Sequence, residues 1–201
     1  MDKAEISGSD NRTEQGAEPK LAVEQTVKQV QQGDVQAYTL IIRHFQRPIY
    51  LYCYYLLGNR EEAEDAAQDI FIRALTRLQQ YSEEVSFSAW LYTIARNHCL
   101  DRIKRRNKSF KLLSLYRQHQ HQEEEQAGDT RYTEIVHGLL EKLNMEERQI
   151  LLLRALEEHS FEEIGIMMDM KAGTVRKKYE RLRKKLGRRQ NSGGRITHEP
   201  S

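Results

Sequence analysis

Apolar residues recur at helical spacing along most of this chain, and that periodicity decides the fold class. Between residues 59 and 80 the apolar positions fall three or four residues apart, which places them on one face of a helix. These positions are Ala63, Ala66, Ala67, Ile70, Phe71, Ala74, Leu75 and Leu78. No segment of useful length alternates with the two-residue period of a strand, and the 201 residues include only three prolines. The sequence therefore predicts an all-α protein.

The periodicity divides the chain into two helical domains. It holds over residues 21–106, is lost over residues 107–130 and returns over residues 131–187. The middle segment is rich in Gln, His and Glu, and we interpret it as a flexible linker. The polar segments 1–20 and 188–201 are expected to be disordered, because they bury too little apolar surface to offset the entropy of ordering.

Glycine, proline and capping residues predict the helix boundaries. In the first domain Asp34 and Asn59 are expected to cap helices, and Gly58 to end one. Pro48 is expected to break or kink its helix. The remaining predicted helices are 21–32, 88–106, 132–143, 146–156, 160–168 and 172–186.

Charge is concentrated in three blocks, although the net charge is only +2. Residues 171–189 hold ten Lys or Arg and one acid, and residues 102–111 hold six Lys or Arg and no acid. Residues 61–69 hold five acids and no base. Basic blocks favour phosphates, and an acidic block favours a basic protein partner.

Several classes of protein are not supported. The N-terminus lacks the apolar core of a signal peptide, and the run IYLYCYYLL is too short to span a bilayer, so a cytoplasmic protein is expected. Cys53 and Cys99 are expected to be reduced, buried thiols rather than a disulfide. No phosphate loop, nucleophile elbow or set of clustered metal ligands is found. His119 and His121 could bind a metal weakly, but a polar linker is the preferred interpretation. No cofactor, metal or catalytic residue is expected.

The second domain has the sequence of a helix-turn-helix. Ser160 and Glu163 have the spacing of a capping box, and residues 169–171 supply a turn. A basic run alone is more typical of a solvated helix, but the capping box and the turn favour a helix in the major groove. The residues expected to contact duplex DNA are Lys171, Thr174, Arg176, Lys177, Lys178, Arg181 and Lys185.

These patterns resemble a known family. The stretch HSFEEIGIMMDMKAGTVRKKYERLRKKL resembles region 4 of bacterial sigma factors and, less specifically, the C-terminal domain of response regulators. The stretches GNREEAEDAAQDIFIRALTRLQQY and FSAWLYTIARNHCLDRIKRR resemble region 2 of the extracytoplasmic-function (ECF) group of sigma factors. Two positions depart from the usual pattern: Gly165 stands where alanine is common, and Asp169 where glycine often makes the turn.

The resemblance implies that one chain reads both promoter elements, the opened −10 strand with region 2 and the duplex −35 element with region 4. The −10 residues it implies are Phe87, Arg96, Asn97, Asp101, Arg102, Arg105 and Arg106. The resemblance also places Trp90 and Tyr92 where the family melts and holds the −10 strand, although a core position is the preferred interpretation of Trp90. Loop residues 82–88 are better placed to hold a flipped base.

The resemblance also implies partners. The acidic face would dock on the clamp helices of the polymerase β′ subunit through Glu61, Glu62, Glu64, Asp65, Gln68 and Asp69. The alternative for this face is a solvated helix with local ion pairs such as Asp69 with Arg73. Core RNA polymerase, promoter DNA and an anti-sigma protein are the expected partners, and no small-molecule substrate is expected.

Two other functions are less well supported by the sequence. A helix-turn-helix regulator that is not a sigma factor would explain residues 131–187, but it would require a receiver domain or a ligand pocket, and the first domain predicts neither. An enzyme is the third possibility, but the seven histidines converge with no acid or cysteine at a known spacing.

Overall fold

The computed structural model describes residues 17–114, 136, 138–140 and 142–190, and all regular structure in these residues is helical. This confirms the all-α prediction. The α-helices with described bounds are α1 (Ala17–Gln31), α2 (Tyr38–Leu57), α3 (Arg60–Arg77), α4 (Phe87–Ser114), α5 (Met145–Leu156), α6 (Phe161–Met168) and α7 (Ala172–Gln190). Short 3-10 helices cover Val35–Ala37 and Leu78–Gln80. No described helix is long and apolar enough to cross a membrane.

The predicted capping residues act at the predicted positions. The Asn59 side chain accepts a hydrogen bond from the Glu62 amide at 2.7 Å and thereby starts α3. Asp34 accepts from the Ala37 amide and starts the first 3-10 helix. Gly58 ends α2 with a φ of 75°, a left-handed conformation that glycine adopts without a Cβ clash.

Several helix boundaries differ from the prediction. Helix α2 runs through Pro48 as one element, so the proline does not end it. Helix α4 continues to Ser114, since residues 107–114 contain no Gly or Pro that would stop it. The first residues of the predicted linker are therefore helical, as are residues 17–20 and 188–190 of the predicted tails. Residues 1–16, 115–135 and 191–201 lie outside the described residues.

Helices α1 to α4 share one core. Ile49, Tyr52, Ile70, Leu91 and Tyr92 are fully buried in it. Burial of such side chains stabilises the fold by about 1.5–3 kcal/mol each.

The two cysteines meet in this core. Cys53 and Cys99 are free and fully buried, and the Cys99 thiol donates to the Cys53 sulfur across 3.6 Å. Although they are distant in the sequence, they are neighbours in the fold. The pKa of Cys53 lies well above its ordinary value, because of the hydrogen bond with Cys99 and then because of burial. Both are core thiols, as predicted.

Helices α5 to α7 pack together around a smaller group of apolar side chains. Ile150 and Leu153 of α5, Ile164 of α6, and Val175 and Leu182 of α7 are buried. On α7 the apolar pair Val175 and Leu182 lies on a different face from most of the cations. Burial of that pair therefore leaves the basic side of the helix exposed.

The two halves of the chain contact each other. Arg96 Nε of α4 donates to Gln149 Oε1 of α5 at 2.9 Å, and Ser86 Oγ donates to Glu163 Oε1 of α6 at 2.7 Å. The ring of His159 packs edge-on against Tyr92, with 5.0 Å between centroids. Region-2-like and region-4-like helices thus form a common interface, which neither sequence pattern predicts.

Candidate nucleic-acid interface

The connection between α6 and α7 has the geometry of a helix-turn-helix. Ser160 and Glu163 form the predicted capping box, in which each side chain accepts from the other residue's amide. Asp169 ends α6 with a φ of 54°, the left-handed conformation that the turn requires. A Cβ on Gly165 would lie 2.6 Å from the Met170 carbonyl oxygen, so only glycine fits there without a shift. The two departures from the usual pattern are therefore the residues that shape this turn.

Helix α7 presents a polar and basic surface. Thr174, Arg176, Lys177 and Arg181 are exposed, and Lys171 is exposed in the turn before the helix. By contrast, Val175 and Leu182 of the same helix are buried. A helix with this arrangement can donate hydrogen bonds to base edges and to phosphates.

Two lysines among the predicted contact residues form ion pairs with α5. Lys178 Nζ lies 2.5 Å from Glu146, and Lys185 Nζ lies 2.8 Å from Glu147. Both carboxylates belong to the first turn of α5. The hydrogen bond from Lys185 and those of the α5 cap lower the pKa of Glu147, against the effect of burial. These lysines fix α7 against α5 as well as adding positive charge.

A recess of about 320 Å³ lies between the second half of α3 and the first half of α4. It contains two of the predicted −10 residues, Asn97 and Asp101, together with Trp90 and two arginines that the sequence did not predict for this site. The residues that line it are Arg73, Arg77, Gln80, Trp90, Thr93, Ile94, Asn97, His98 and Asp101. A ring, two guanidinium groups and an amide in one concave site suit an unstacked nucleotide.

The floor of the recess includes a buried imidazole. His98 is 6% exposed, and its Nε2 makes no hydrogen bond to the described residues. The Asp69 carboxylate lies 3.7 Å from Nε2. Burial and then Arg73 and Arg102 lower the pKa of His98, so the neutral ring is favoured.

Aromatic rings form the wall beside the recess. Trp90 is half-buried and packs 5.4 Å from Tyr81 and 5.5 Å from Phe87, between centroids. Part of the Trp90 ring packs against the core, as the sequence predicts, and another part lines the recess. Phe87 and Tyr92 are fully buried. In this structure Phe87 supports Trp90 by packing and offers DNA no surface of its own.

The arginines of α4 differ in their surroundings. Arg102 donates to the Glu62 carbonyl at 3.1 Å and to Asp69 at 3.2 Å, and Arg106 donates to the Leu57 carbonyl at 2.9 Å. Both connect α4 to neighbouring helices. Arg96 reaches Gln149, whereas Arg105 is exposed.

The acidic residues of α3 also separate into two groups. Glu61, Glu64, Asp65 and Gln68 are exposed, and Glu64 pairs with Arg60 at 3.0 Å. Glu62 and Asp69 are half-buried and face Arg106 and Arg102 of α4. The exposed group is the part of the predicted docking surface that a partner can reach.

Sequence reasoning missed Arg73 and Arg77 as members of the recess, and it preferred a core position for Trp90. Arg73 and Arg77 are four residues apart and lie on one face of α3, which ends next to the aromatic stretch. Their four-residue spacing was the signal in the sequence that could have placed both arginines on one face of the helix. Among the described residues no group of three or more His, Cys, Asp or Glu is arranged to hold a metal ion. His119 and His121 lie outside those residues.

Two family models match this chain. The sigma-70 region 2 family matches residues 41–109, and the sigma-70 region 4 family matches residues 133–186. The first match contains the recess and the acidic helix, and the second contains the helix-turn-helix.

Two curated relatives match most of this chain and most of their own length. The chain is 31% identical to the ECF RNA polymerase sigma factor SigW of Bacillus subtilis, over 83% of this chain and 96% of SigW. It is 29% identical to the RNA polymerase sigma-H factor of Pseudomonas aeruginosa, over 81% of this chain and 91% of that protein.

Solved structures show the same fold. CnrH, solved in complex with the cytosolic domain of CnrY, has a TM-score of 0.64 at 20% identity and covers 83% of this chain and 96% of its own. RpoE of Bartonella quintana, solved in complex with the anti-sigma factor NepR, has a TM-score of 0.62 at 19% identity, over 74% of this chain and 93% of its own. Together with the family matches and the SigW relationship, this shows that the chain belongs to the ECF group of the sigma-70 family, the alternative sigma factors that direct RNA polymerase to promoters.

Proposed function

We propose that the recess between α3 and α4 holds the opened −10 strand while α7 reads the −35 duplex. The observation that carries this proposal is the contrast between the two surfaces. One is concave and combines a tryptophan with guanidinium groups, and the other is a convex, exposed basic helix after a capped turn. Unstacked bases require stacking surfaces and cations, whereas an intact major groove admits a helix.

In the −10 site, the half-buried Trp90 ring offers a stacking surface, and Arg73 and Arg77 offer charge to the strand's phosphates. Asn97 and Asp101 offer hydrogen-bonding groups to a base edge. Arg105 adds positive charge farther along α4, where it could contact phosphates of the DNA upstream of the bases in the recess. Arg102 and Arg106 contribute by holding α4 in place, since their guanidinium groups are already bound within the protein.

In the −35 site, Thr174, Arg176 and Lys177 lie in the first half of α7, the part of a recognition helix that reaches base edges. Arg181 and Lys171 are exposed on either side of them and suit phosphates. Lys178 and Lys185 add to the positive potential of the helix from their ion pairs with α5.

The exposed acidic face of α3, made of Glu61, Glu64, Asp65 and Gln68, is the proposed contact with the clamp helices of the β′ subunit. Its charge is complementary to a basic coiled coil. The chain would act in the cytoplasm, without enzymatic activity or a cofactor of its own, and RNA synthesis would belong to the polymerase.

The working units proposed are residues 21–106 for the −10 element and polymerase, and residues 131–187 for the −35 element. The segment between them would span the promoter spacer. CnrH and RpoE were each solved with a partner protein, and the RpoE partner is an anti-sigma factor. We infer that a protein of that class also binds this chain.

Run-off transcription tests the function directly. Core polymerase is incubated with a library of genomic fragments, with and without the full-length protein. New transcripts that share two upstream elements are expected only when the protein is present. If the protein binds duplex DNA but adds no transcript, the regulator alternative is supported and the sigma function is contradicted.

A further inference from the structure

Phe161 lies at the meeting point of two guanidinium groups and a second ring. It is the first residue of α6 and is half-buried. The guanidinium carbon of Arg154 lies 5.2 Å from the Phe161 centroid, and that of Arg176 lies 5.4 Å from it. The Tyr179 ring packs beside it at 5.6 Å between centroids. We call these four residues the guanidinium–ring cluster.

Arg154 makes one side of this cluster rigid. Its Nη1 donates to the carbonyl oxygens of Glu158 and His159, which belong to the connection between α5 and α6. Glu158 has a φ of 50°, so this connection contains a left-handed residue that Arg154 helps to hold. Phe161 follows directly after the connection and is therefore fixed in position by it and by the Ser160 cap.

Arg176 is the exposed member. It extends from α7 with a side chain that is 57% exposed, and its other neighbour is Glu162, with 3.8 Å between the charged atoms. Because an ion pair between exposed side chains restrains a guanidinium only weakly, the contact with the Phe161 ring adds a second restraint of similar size. Among the described residues, no ring lies over the neighbouring cations Lys177 and Arg181.

A restraint of this kind matters for reading a base. A free arginine side chain carries about 2 kcal/mol of rotamer entropy, and binding must overcome the part that it freezes. A ring that contacts the face of the guanidinium leaves the N–H groups at the edge free to donate to a guanine. Phe161 can therefore restrict Arg176 without occupying its hydrogen-bonding groups.

We propose that Phe161 is a positioning residue for −35 recognition, which holds the Arg176 guanidinium in the orientation that reads one base pair. The inference rests on the proposed −35 role of α7. It adds a specificity determinant on α6 that does not itself contact DNA.

The test measures initiation by the full chain with core polymerase on promoters that carry every single-base change in the −35 element. Arg176→Ala is expected to relax preference at one base pair. Phe161→Leu is expected to reduce discrimination at that same pair about two- to fivefold, the size of an exposed cation–π contact. Phe161→Tyr, which keeps the ring, is expected to preserve it. In the Arg176→Ala background, Phe161→Leu should cause no further loss at that pair.

Several results would overturn the positioning role. One is a Phe161→Leu variant with wild-type discrimination, and another is an equal loss on every −35 sequence. If Phe161→Leu lowers the helical circular dichroism, Arg176→Lys decides instead, because lysine keeps the charge but not the plane. Full retention of base preference by Arg176→Lys would overturn the proposal. An Arg176→Ala variant with unchanged preference would contradict the −35 assignment of Arg176 itself, and the positioning role with it.

Discussion

Arg102 and Arg105 stand three residues apart in one basic block, yet the fold gives them different tasks. Arg102 bonds to the Glu62 carbonyl and to Asp69, whereas Arg105 is exposed. Arg102→Ala is expected to lower the free energy of unfolding by about 1–3 kcal/mol, because it leaves a half-buried carbonyl and a carboxylate without their donor. Urea unfolding at neutral pH measures this loss.

Arg105→Ala is the matched control. It is expected to leave the free energy of unfolding within about 0.5 kcal/mol, as exposed substitutions do, and to weaken binding of −10 DNA. If Arg105→Ala were the more destabilising of the two, the division between structural and DNA-facing arginines would be wrong.

Glu163 gives the interface between the two halves a pH dependence. Its carboxylate lies 3.8 Å from His159 Nδ1 and accepts hydrogen bonds from Ser86 and Ser160, and these contacts hold its pKa far below the ordinary value of 4.5. A carboxyl whose pKa is lowered by folding stabilises the folded state above its unfolded pKa. That contribution to the free energy of unfolding is lost progressively as the pH falls from the unfolded pKa through the folded pKa.

Glu163→Gln is therefore expected to lower the free energy of unfolding by about 1–2 kcal/mol at pH 7. At this pH the Glu163 carboxylate of the unaltered protein is charged in both the folded and the unfolded state. The difference from the unaltered protein should shrink at about pH 3.5, because the unfolded carboxyl is then protonated. Urea unfolding at the two pH values measures it, and an equal cost at both would show that the charge is not what matters.

At the scale of the elements, the turn of the helix-turn-helix depends on Gly165. A Cβ there would lie 2.6 Å from the backbone oxygen of Met170, and backbone cannot move aside as a flexible side chain can. Gly165→Ala is therefore expected to destabilise region 4 by about 1–3 kcal/mol, in spite of the better helix propensity of alanine. Thermal unfolding followed by circular dichroism measures this effect.

Gly173→Ala provides the comparison, since nothing lies within 4 Å of a Cβ at that position. It is expected to be neutral or stabilising, because alanine has the higher helix propensity. A Gly165→Ala protein that is as stable as Gly173→Ala would mean that the turn relaxes freely.

The exposed part of α3 is the element through which polymerase binding can be tested. Reversing Glu61 and Asp65 to Lys changes two exposed side chains on one face without touching the Asp69–Arg102 bridge. Co-purification with core polymerase is expected to fall at least tenfold, since like charges would then face a basic partner.

Reversal of Glu83 and Glu84 makes the same change of charge in the loop before α4. It is expected to leave co-purification with polymerase intact. If both double variants weakened binding equally, net charge rather than the α3 face would explain the effect.

The sequence predicted the elements well because helix formation is local. Periodicity, the caps at Asn59 and Ser160, and the stop at Gly58 all act within one or two turns. The end of α4 was missed because its apolar pattern fades while its residues remain good helix formers. Pro48 does not break α2, because packing against α3 and α4 can outweigh one lost backbone hydrogen bond.

The candidate site was less predictable because it depends on which helices are neighbours. The outward face of α7 follows from its own sequence. The recess does not, because Arg73 and Arg77 come from α3 and Trp90 and Asn97 from α4. The contact between Arg96 and Gln149 joins residues in different sequence regions, so no local pattern could reveal it.

At the scale of the whole molecule, one chain presents two chemically different surfaces, and we propose that both bind DNA. The recess is concave and aromatic, and α7 is convex and basic. The central claim is that these surfaces read different promoter elements in different states of the DNA.

Promoter selection by the reconstituted holoenzyme tests that claim most directly. The −10 and −35 elements are randomised together, and transcripts made with the unaltered protein, Asn97→Ala and Arg176→Ala are sequenced. If the two surfaces act separately, Asn97→Ala will relax preference only within the −10 element and Arg176→Ala only within the −35 element. Each change is expected to cost about 1–3 kcal/mol at the base concerned. The reverse pattern, or an equal loss across both elements for both variants, would contradict the claim.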